Sequence, residues 1–251
     1  VGTDKDWQAW GEQDPYFGVL SSQSFRKSNL TEENRAEFFR SGDEHVEAVF
    51  AKIRRHLDSD FKPARSIDFG CGVGRLVIPL ARRCAEVTGI DVADSMLAEA
   101  QANCAAQGIT NARWVKSDDT LSRLTGDYDF MHSVIVFQHI APERGLKLVA
   151  QLLGHLAPGG VVALQFFYRC DAPKLVRALV KLRYRFPFLN TLRNLVSGRP
   201  LREPTMQLHC YDLDALIDVF KAAGIPAVHL DLYDAFGFQG AMIYARKADA
   251  E

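Results

Sequence analysis

The sequence predicts an α/β fold: a doubly wound, mostly parallel seven-stranded sheet that ends in an antiparallel C-terminal hairpin. Three observations predict it. From residue 64 onward, short β-rich runs alternate with helical periodicities; a glycine-rich turn follows the first run; and the last two runs are joined by a loop too short for a crossover helix. Parallel neighbours need a crossover of a dozen residues or more, whereas a short loop can only join antiparallel ones.

Residues 1–40 read as an irregular arm, with Trp7, Trp10, Tyr16, Phe17, Phe25, Phe38 and Phe39 set among polar residues. A helix is expected to start at the capping box Ser41-Gly42-Asp43-Glu44, with Val46, Val49, Phe50, Ile53 and Leu57 on one stripe that covers a sheet face. The chain thus divides into an arm (1–40) and a main domain (41–251). Within that domain, strands are expected at 65–69, 86–90, 112–116, 130–137 and 160–167, and helices at 74–84, 95–107 and 144–156. A helix at 214–223 and strands at 227–232 and 241–246 close the chain.

With 251 residues, 47% hydrophobic and 24% charged, the chain can bury one substantial core with appendages. A net charge of −1 gives no global reason to expect nucleic acid or an anionic membrane as partner. Cys71, Cys84, Cys104, Cys170 and Cys210 are scattered without a C-x-x-C pair or histidines at metal-ligand spacing, so reduced thiols, no metal and a cytoplasmic location are expected. No basic-then-apolar leader opens the chain, and no apolar run approaches the ~20 residues of a membrane span. Because the first residue is Val rather than Met, the natural chain is expected to start upstream or to be processed.

The chemistry concentrates in Asp68-Phe69-Gly70-Cys71-Gly72-Val73-Gly74. Glycine permits positive φ and lets a ligand approach the backbone, but a glycine-rich turn alone also suits ordinary tight turns and nicotinamide sites. The G-x-G-x-G spacing and an acid two residues ahead favour a ligand with an ammonium group over one with a pyrophosphate. Asp91 ends the second strand, where a carboxylate can accept both ribose hydroxyls.

On these residues the sequence resembles the class I (Rossmann-like) S-adenosylmethionine-dependent methyltransferases over roughly residues 64–246. The resemblance implies that Asp68, Gly70, Gly72 and Gly74, with Cys71 inside the turn, hold the amino-acid end of S-adenosylmethionine and later of S-adenosylhomocysteine. It implies that Asp91, beside Val92, binds the ribose, that Asp118 or its neighbour Asp119 meets the adenine amino group, and that Met96 lies against the adenine. Tyr128-Asp129-Phe130-Met131-His132-Ser133-Val134 resembles the family's fourth strand and Leu156-Ala157-Pro158-Gly159-Gly160 the turn into its fifth.

Methyl transfer from a sulfonium needs alignment, exclusion of water and, for a hydroxyl or protonated amine, a base. His139, just past the fourth strand, is either that base or a partner of loop backbone. His132 is expected to serve packing. His209 and Tyr211 precede a helix capped by Asp212 and are structural or pocket residues. Tyr16 and Phe17 either form a lid or only anchor the arm.

Residues 169–207 form an insertion that the minimal fold does not require, with nine Lys/Arg and one acid between 169 and 202. Val176, Leu179, Val180 and Leu182 recur at near-helical spacing among the cations, so an amphipathic helix is expected before Phe186-Pro187-Phe188 breaks it. An anionic acceptor, an anionic surface, a dimer contact or a solvated face each fits. The motifs expected for methylation of base amines, cytosine C5 or arginine are missing, so a small-molecule acceptor methylated at oxygen or nitrogen leads and nucleic acid is not expected. The alternatives are a methyltransferase-like module that binds protein or RNA, and a nicotinamide-dependent oxidoreductase, which the glycine spacing disfavours.

Overall fold

The computed structural model describes residues 2–250, apart from the side chain of Pro187; Val1 and the question of the natural start lie outside them. The arm is helical rather than irregular. Helices α1 (Gly2–Gln13) and α2 (Pro15–Val19) and a 3-10 turn at Gln23–Phe25 precede α3 (Glu32–His56). Helix α3 starts nine residues before the expected capping box. Thr31 caps it by accepting the Asn34 N–H at 3.2 Å, and Glu32 and Glu33 fill the first turn, where carboxylates complement the helix dipole. Ser41 lies inside the helix and returns its hydroxyl to the Phe38 carbonyl at 2.6 Å. The expected stripe is otherwise present, with Val46, Val49, Phe50 and Ile53 buried.

The alternation then follows: β1 (Arg65–Phe69), α4 (Val77–Ala81), β2 (Glu86–Asp91), α5 (Asp94–Ala106), β3 (Ala112–Lys116), β4 (Tyr128–Ser133), α6 (Pro142–Gly154) and β5 (Leu156–Cys170). The insertion holds α7 (Lys174–Arg185) and α8 (Pro187–Val196), and α9 (Leu213–Ala222), β6 (Val228–Ala235) and β7 (Phe238–Arg246) end the fold. One sheet results, in the order β3-β2-β1-β4-β5-β7-β6, parallel from β3 to β5 and antiparallel through β7 and β6.

Boundary differences have local causes. Helix α4 is short because Gly72 and Gly74 sit at φ 51° and 86°, outside helical space. Strand β4 stops at Ser133 because Ile135 turns to φ 61° and Phe137–His139 forms a 3-10 turn. Strand β5 runs to Cys170 because β7 pairs along its length. Pro187 opens α8 instead of ending the helical region, since a first-turn proline loses no hydrogen bond.

One core lies between the sheet and α6 and α9, through Leu148, Leu152, Leu216 and Phe220; the other lies under α3 and α4, through Phe50, Ile53, Val77 and Leu80. A third cluster joins the arm to the body, setting Trp10, Tyr16, Phe17, Phe25 and Phe38 against Val73, Ala93 and Met96. It lies over the carboxyl edge of β1 and β2, where open α/β sheets bind ligands.

Candidate functional site

At the end of β1 the chain turns through Gly70, Gly72 and Gly74, all at positive φ. The turn is tied to β2: the Gly70 and Cys71 N–H groups donate to the Ile90 carbonyl at 2.7 and 2.9 Å. A Cβ on Gly70 would lie 2.2 Å from a Val136 methyl, and one on Gly72 would lie 2.4 Å from a Val19 methyl of the arm. Only glycine therefore fits at either position.

Two carboxylates flank this turn. Asp91 accepts the Gly72 N–H and the Ala93 N–H at 2.9 Å each, one on each oxygen, which fixes the plane of the carboxylate and leaves each oxygen a free lone pair. Burial pushes its pKa up to about 6, against the lowering effect of those N–H groups. Asp68 is 2% exposed and lies opposite His132 on β4 in the strand register, so the two side chains share a sheet face. His132 Nδ1 is 3.1 Å from Asp68 Oδ1, and its Nε2 is 3.0 Å from Nε2 of His45 on α3. A carboxylate accepts, so Nδ1 carries the His132 proton, and the His45 Nε2–H donates to His132. Burial and the neighbouring His132 lower the His45 pKa to about 2, which keeps the His45 ring neutral.

A cavity opens between turn and arm. Asp68, Asp91 and Arg75 contribute its charged wall near the glycines, and Val92, Met96 and Ile140 are among its apolar lining. Arg75 is buried, its pKa lowered to about 10 by desolvation, and its Nε finds no partner among the described residues. A buried guanidinium with an idle donor calls for an anionic group. The donor set thus fits a ligand with a cis-diol for Asp91, an ammonium for Asp68, a carboxylate for Arg75 and a flat apolar portion beside Met96.

The family described as "Methyltransferase domain" matches residues 67–160. The trans-aconitate 2-methyltransferase of Deinococcus radiodurans is 36% identical over 104 residues, 41% of this chain and 37% of that protein. The 23S rRNA (uracil(1939)-C(5))-methyltransferase of Photobacterium angustum is 33% identical over 122 residues, 47% of this chain and 52% of that protein. Among solved structures, magnesium protoporphyrin IX methyltransferase from Synechocystis with bound S-adenosylmethionine superposes with a TM-score of 0.61 at 17% identity, over 99% of this chain and 98% of that one, a likeness of fold. Residues 67–160 thus carry a methyltransferase domain, on the fold of the class I S-adenosylmethionine-dependent methyltransferases. The chain spans only about a third to a half of the length of the two curated relatives.

In this methyltransferase domain Gly70, Cys71, Gly72, Asp91, Val92 and Met96 converge with Asp68 on the cavity, while Gly74 lies behind the turn, facing Ala100 of α5. Asp118 is spent on its own turn: its carboxylate accepts from the N–H and hydroxyl groups of Thr120 and Ser122, which hold its pKa well below the usual range. Asp119 pairs with Arg144 at 2.6 Å, and Ser117 is the residue of this segment that lines the cavity.

His139 lines the cavity with its Nδ1 2.7 Å from the Gln207 carbonyl, to which it donates, and its Nε2 3.3 Å from the Gln138 amide. Burial lowers its pKa to about 4, so the ring is neutral at physiological pH. Tyr16 and Phe17 face away from the cavity. The Tyr16 hydroxyl is 2.8 Å from Glu99, and the Arg26 guanidinium lies 3.4 Å above the Phe17 ring. Tyr211 is buried behind α6, donating to the Ile140 carbonyl at 2.9 Å, and His209 donates its backbone N–H to the Gln138 carbonyl.

The arm does reach the site, through Trp7, Val19 and Asp4 rather than through Tyr16 and Phe17. Trp7 meets the His139 ring edge-on at 4.9 Å, Val19 sits on Gly72, and Asp4 pairs with Arg144 at 2.6 Å. Nothing in their spacing marks them, because these contacts cross more than fifty residues of chain. His132 also has a larger role than packing. Replacing it with Leu strands the Asp68 carboxylate, at about 1–3 kcal/mol for an unsatisfied buried group. His132→Leu is expected to melt several degrees lower and to bind S-adenosylhomocysteine about tenfold more weakly by calorimetry, with His132→Asn restoring part of both.

Proposed function

We propose that the chain transfers the methyl group of S-adenosylmethionine to an oxygen or nitrogen of a small-molecule acceptor. The observation that carries this reading is the convergence of two left-handed glycine positions, Gly70 and Gly72, with the Asp68 and Asp91 carboxylates on one cavity. When bound, S-adenosylmethionine supplies the activated methyl on its sulfonium. The residues supply position: Asp91 accepts from the ribose hydroxyls, Asp68 receives the ammonium, Arg75 receives the carboxylate, and the apolar walls with the arm exclude water.

His139, Trp7 and Ile135 line the acceptor side in this reading. Ile135 at φ 61° is a β-branched residue in the left-handed region, a strain of about 1–3 kcal/mol that clusters at working sites. A neutral imidazole whose Nδ1–H is donated to Gln207 offers its Nε2 lone pair to the acceptor hydroxyl or amine once that group displaces the Gln138 amide N–H, 3.3 Å away. With acceptor and methyl donor both present, His139→Ala is expected to lower kcat about tenfold or more while leaving S-adenosylhomocysteine affinity unchanged. The wild-type rate should show no inflection from this group between about pH 6 and 8. An unchanged kcat removes His139 from the acceptor step.

The rRNA relative raises pyrimidine C5 as a target, which calls for a reactive thiolate. Cys71 is the cavity-lining cysteine among the described residues, and burial with the nearby Asp91 and Asp68 charges pushes its thiol well above the usual range. That supports oxygen or nitrogen as the methylated atom. No helix among the described residues is long and apolar enough to cross a membrane. Calorimetry with S-adenosylmethionine, S-adenosylhomocysteine and NAD tests the donor: binding of NAD with no response to the other two overturns the reading. A homodimer is testable by sedimentation.

A further inference from the structure

Of thirteen large apolar side chains exposed among the described residues, ten lie between residues 175 and 201, on the α7–α8 hairpin and the turn that follows. Helix α7 buries no residue at all. Its Leu175, Leu179 and Leu182 follow i, i+4, i+7 spacing and form one stripe; Lys174, Arg177, Lys181 and Arg185 form a second beside it.

Helix α8 is mounted inside out. Its polar side faces the protein: Asn194 is 1% exposed, donating at 3.1 Å to the Glu203 carbonyl, which also accepts from Asn190 at 3.0 Å. Its apolar side faces away, with Phe188 66%, Leu192 54%, Leu195 63% and Val196 81% exposed. A helix that folds for its own stability buries the other face.

We propose that the α7–α8 hairpin docks on the surface of an anionic lipid bilayer, its apolar faces seated among the acyl chains and its cations at the headgroups. Both halves of the observation are needed. Nine Lys/Arg against one acid between residues 169 and 202 complement an anionic surface, and the outward Phe188 and Val196 need an apolar phase that water and a polyanion do not provide. A symmetric pairing of two copies through this face would set the two cation stripes against each other. RNA would use the cations and leave the apolar side in water.

The hairpin is joined to the site. The Tyr184 hydroxyl of α7 accepts the Leu208 N–H at 3.2 Å, and the adjacent Gln207 carbonyl holds His139. Glu203, at its base, pairs with Arg26 of the arm at 2.7 Å. A docked hairpin therefore brings the cavity rim near the lipid surface.

The test is co-flotation of the whole chain with phosphatidylcholine vesicles, with and without phosphatidylglycerol. Binding to the phosphatidylglycerol vesicles is expected to exceed binding to pure phosphatidylcholine by about tenfold or more and to fall with salt. Leu192→Ser with Val196→Ser, and separately Arg177→Glu with Lys181→Glu and Arg185→Glu, should each reduce it about tenfold or more. All these positions are exposed, and an unchanged melting temperature verifies each variant's fold. Absence of flotation overturns the proposal, as does full binding by the serine variant. So does a stable dimer that the serine variant dissociates, or an RNA shift without vesicle binding. Because no methyl donor enters this measurement, its failure leaves the reading of the donor site untouched.

Discussion

Asp91→Asn is expected to weaken S-adenosylhomocysteine binding about a hundredfold by calorimetry. The substitution keeps the shape of the side chain and one oxygen for the Gly72 or Ala93 N–H, but it removes the charge and one of the two acceptors offered to the ribose. Two hydrogen bonds to a charged group are worth about 3 kcal/mol or more together, hence the factor. The same carboxylate sets a pH dependence. Its folded pKa is raised by burial from the ordinary 3.8 to about 6, so the ligand-free protein binds this proton more tightly than the unfolded chain does. The contribution of Asp91 to ligand-free stability therefore falls as pH rises from about 4 to about 6, the reverse of an ion-paired acid. Ligand affinity runs the other way, since the ribose hydroxyls need the ionised form. The ligand-induced rise in Tm should shrink as pH falls through about 6, and a constant increment across that range would remove Asp91 from the donor contact.

Gly70→Ala carries the other large effect. The new Cβ would stand 2.2 and 2.6 Å from the two methyls of Val136 while the backbone holds φ at 76°. Left-handed strain of about 1–2 kcal/mol adds to about 1–3 kcal/mol of overpacking. Thermal melting should fall by roughly 10 °C for a chain of this size. Donor binding should be lost as well, because Val136 and Gly70 both line the cavity. The double variant Gly70→Ala, Val136→Ala tests the cause: relieving the clash should recover about half of the lost Tm, and no recovery would point to backbone strain alone.

The fold was legible because its signals are local. Strands Arg65–Phe69 and Ala112–Lys116 carry uninterrupted β-rich runs, and the acids and glycines at the ends of β1 and β2 sit within a few residues of each other along the chain. The arm's side of the cavity was not, because its determinants are assembled across distance. Val19 meets Gly72 and Asp4 meets Arg144 only after the arm has folded back over the sheet. Asp118 shows the opposite limit. Its position in the pattern suggested a ligand contact, yet Thr120 and Ser122, two and four residues on, form a local turn that takes its carboxylate. Helix α8 was hidden because a proline between two phenylalanines marks a helix start as readily as a break.

Helix α3 runs unbroken through its 25 residues, carrying Phe38 in the arm cluster, His45 against His132 and, at its end, His56, which stacks on His229 of β6 at 4.0 Å. Anchored at both faces, it acts as a fixed post. The joint at residues 20–31, which links this post to α1 and α2, has the 3-10 turn Gln23–Phe25 as its one regular element. The Arg26 clamp on Asp14 and Glu203 sits in that joint, so the latch of the arm and the root of the basic hairpin are one mechanical part.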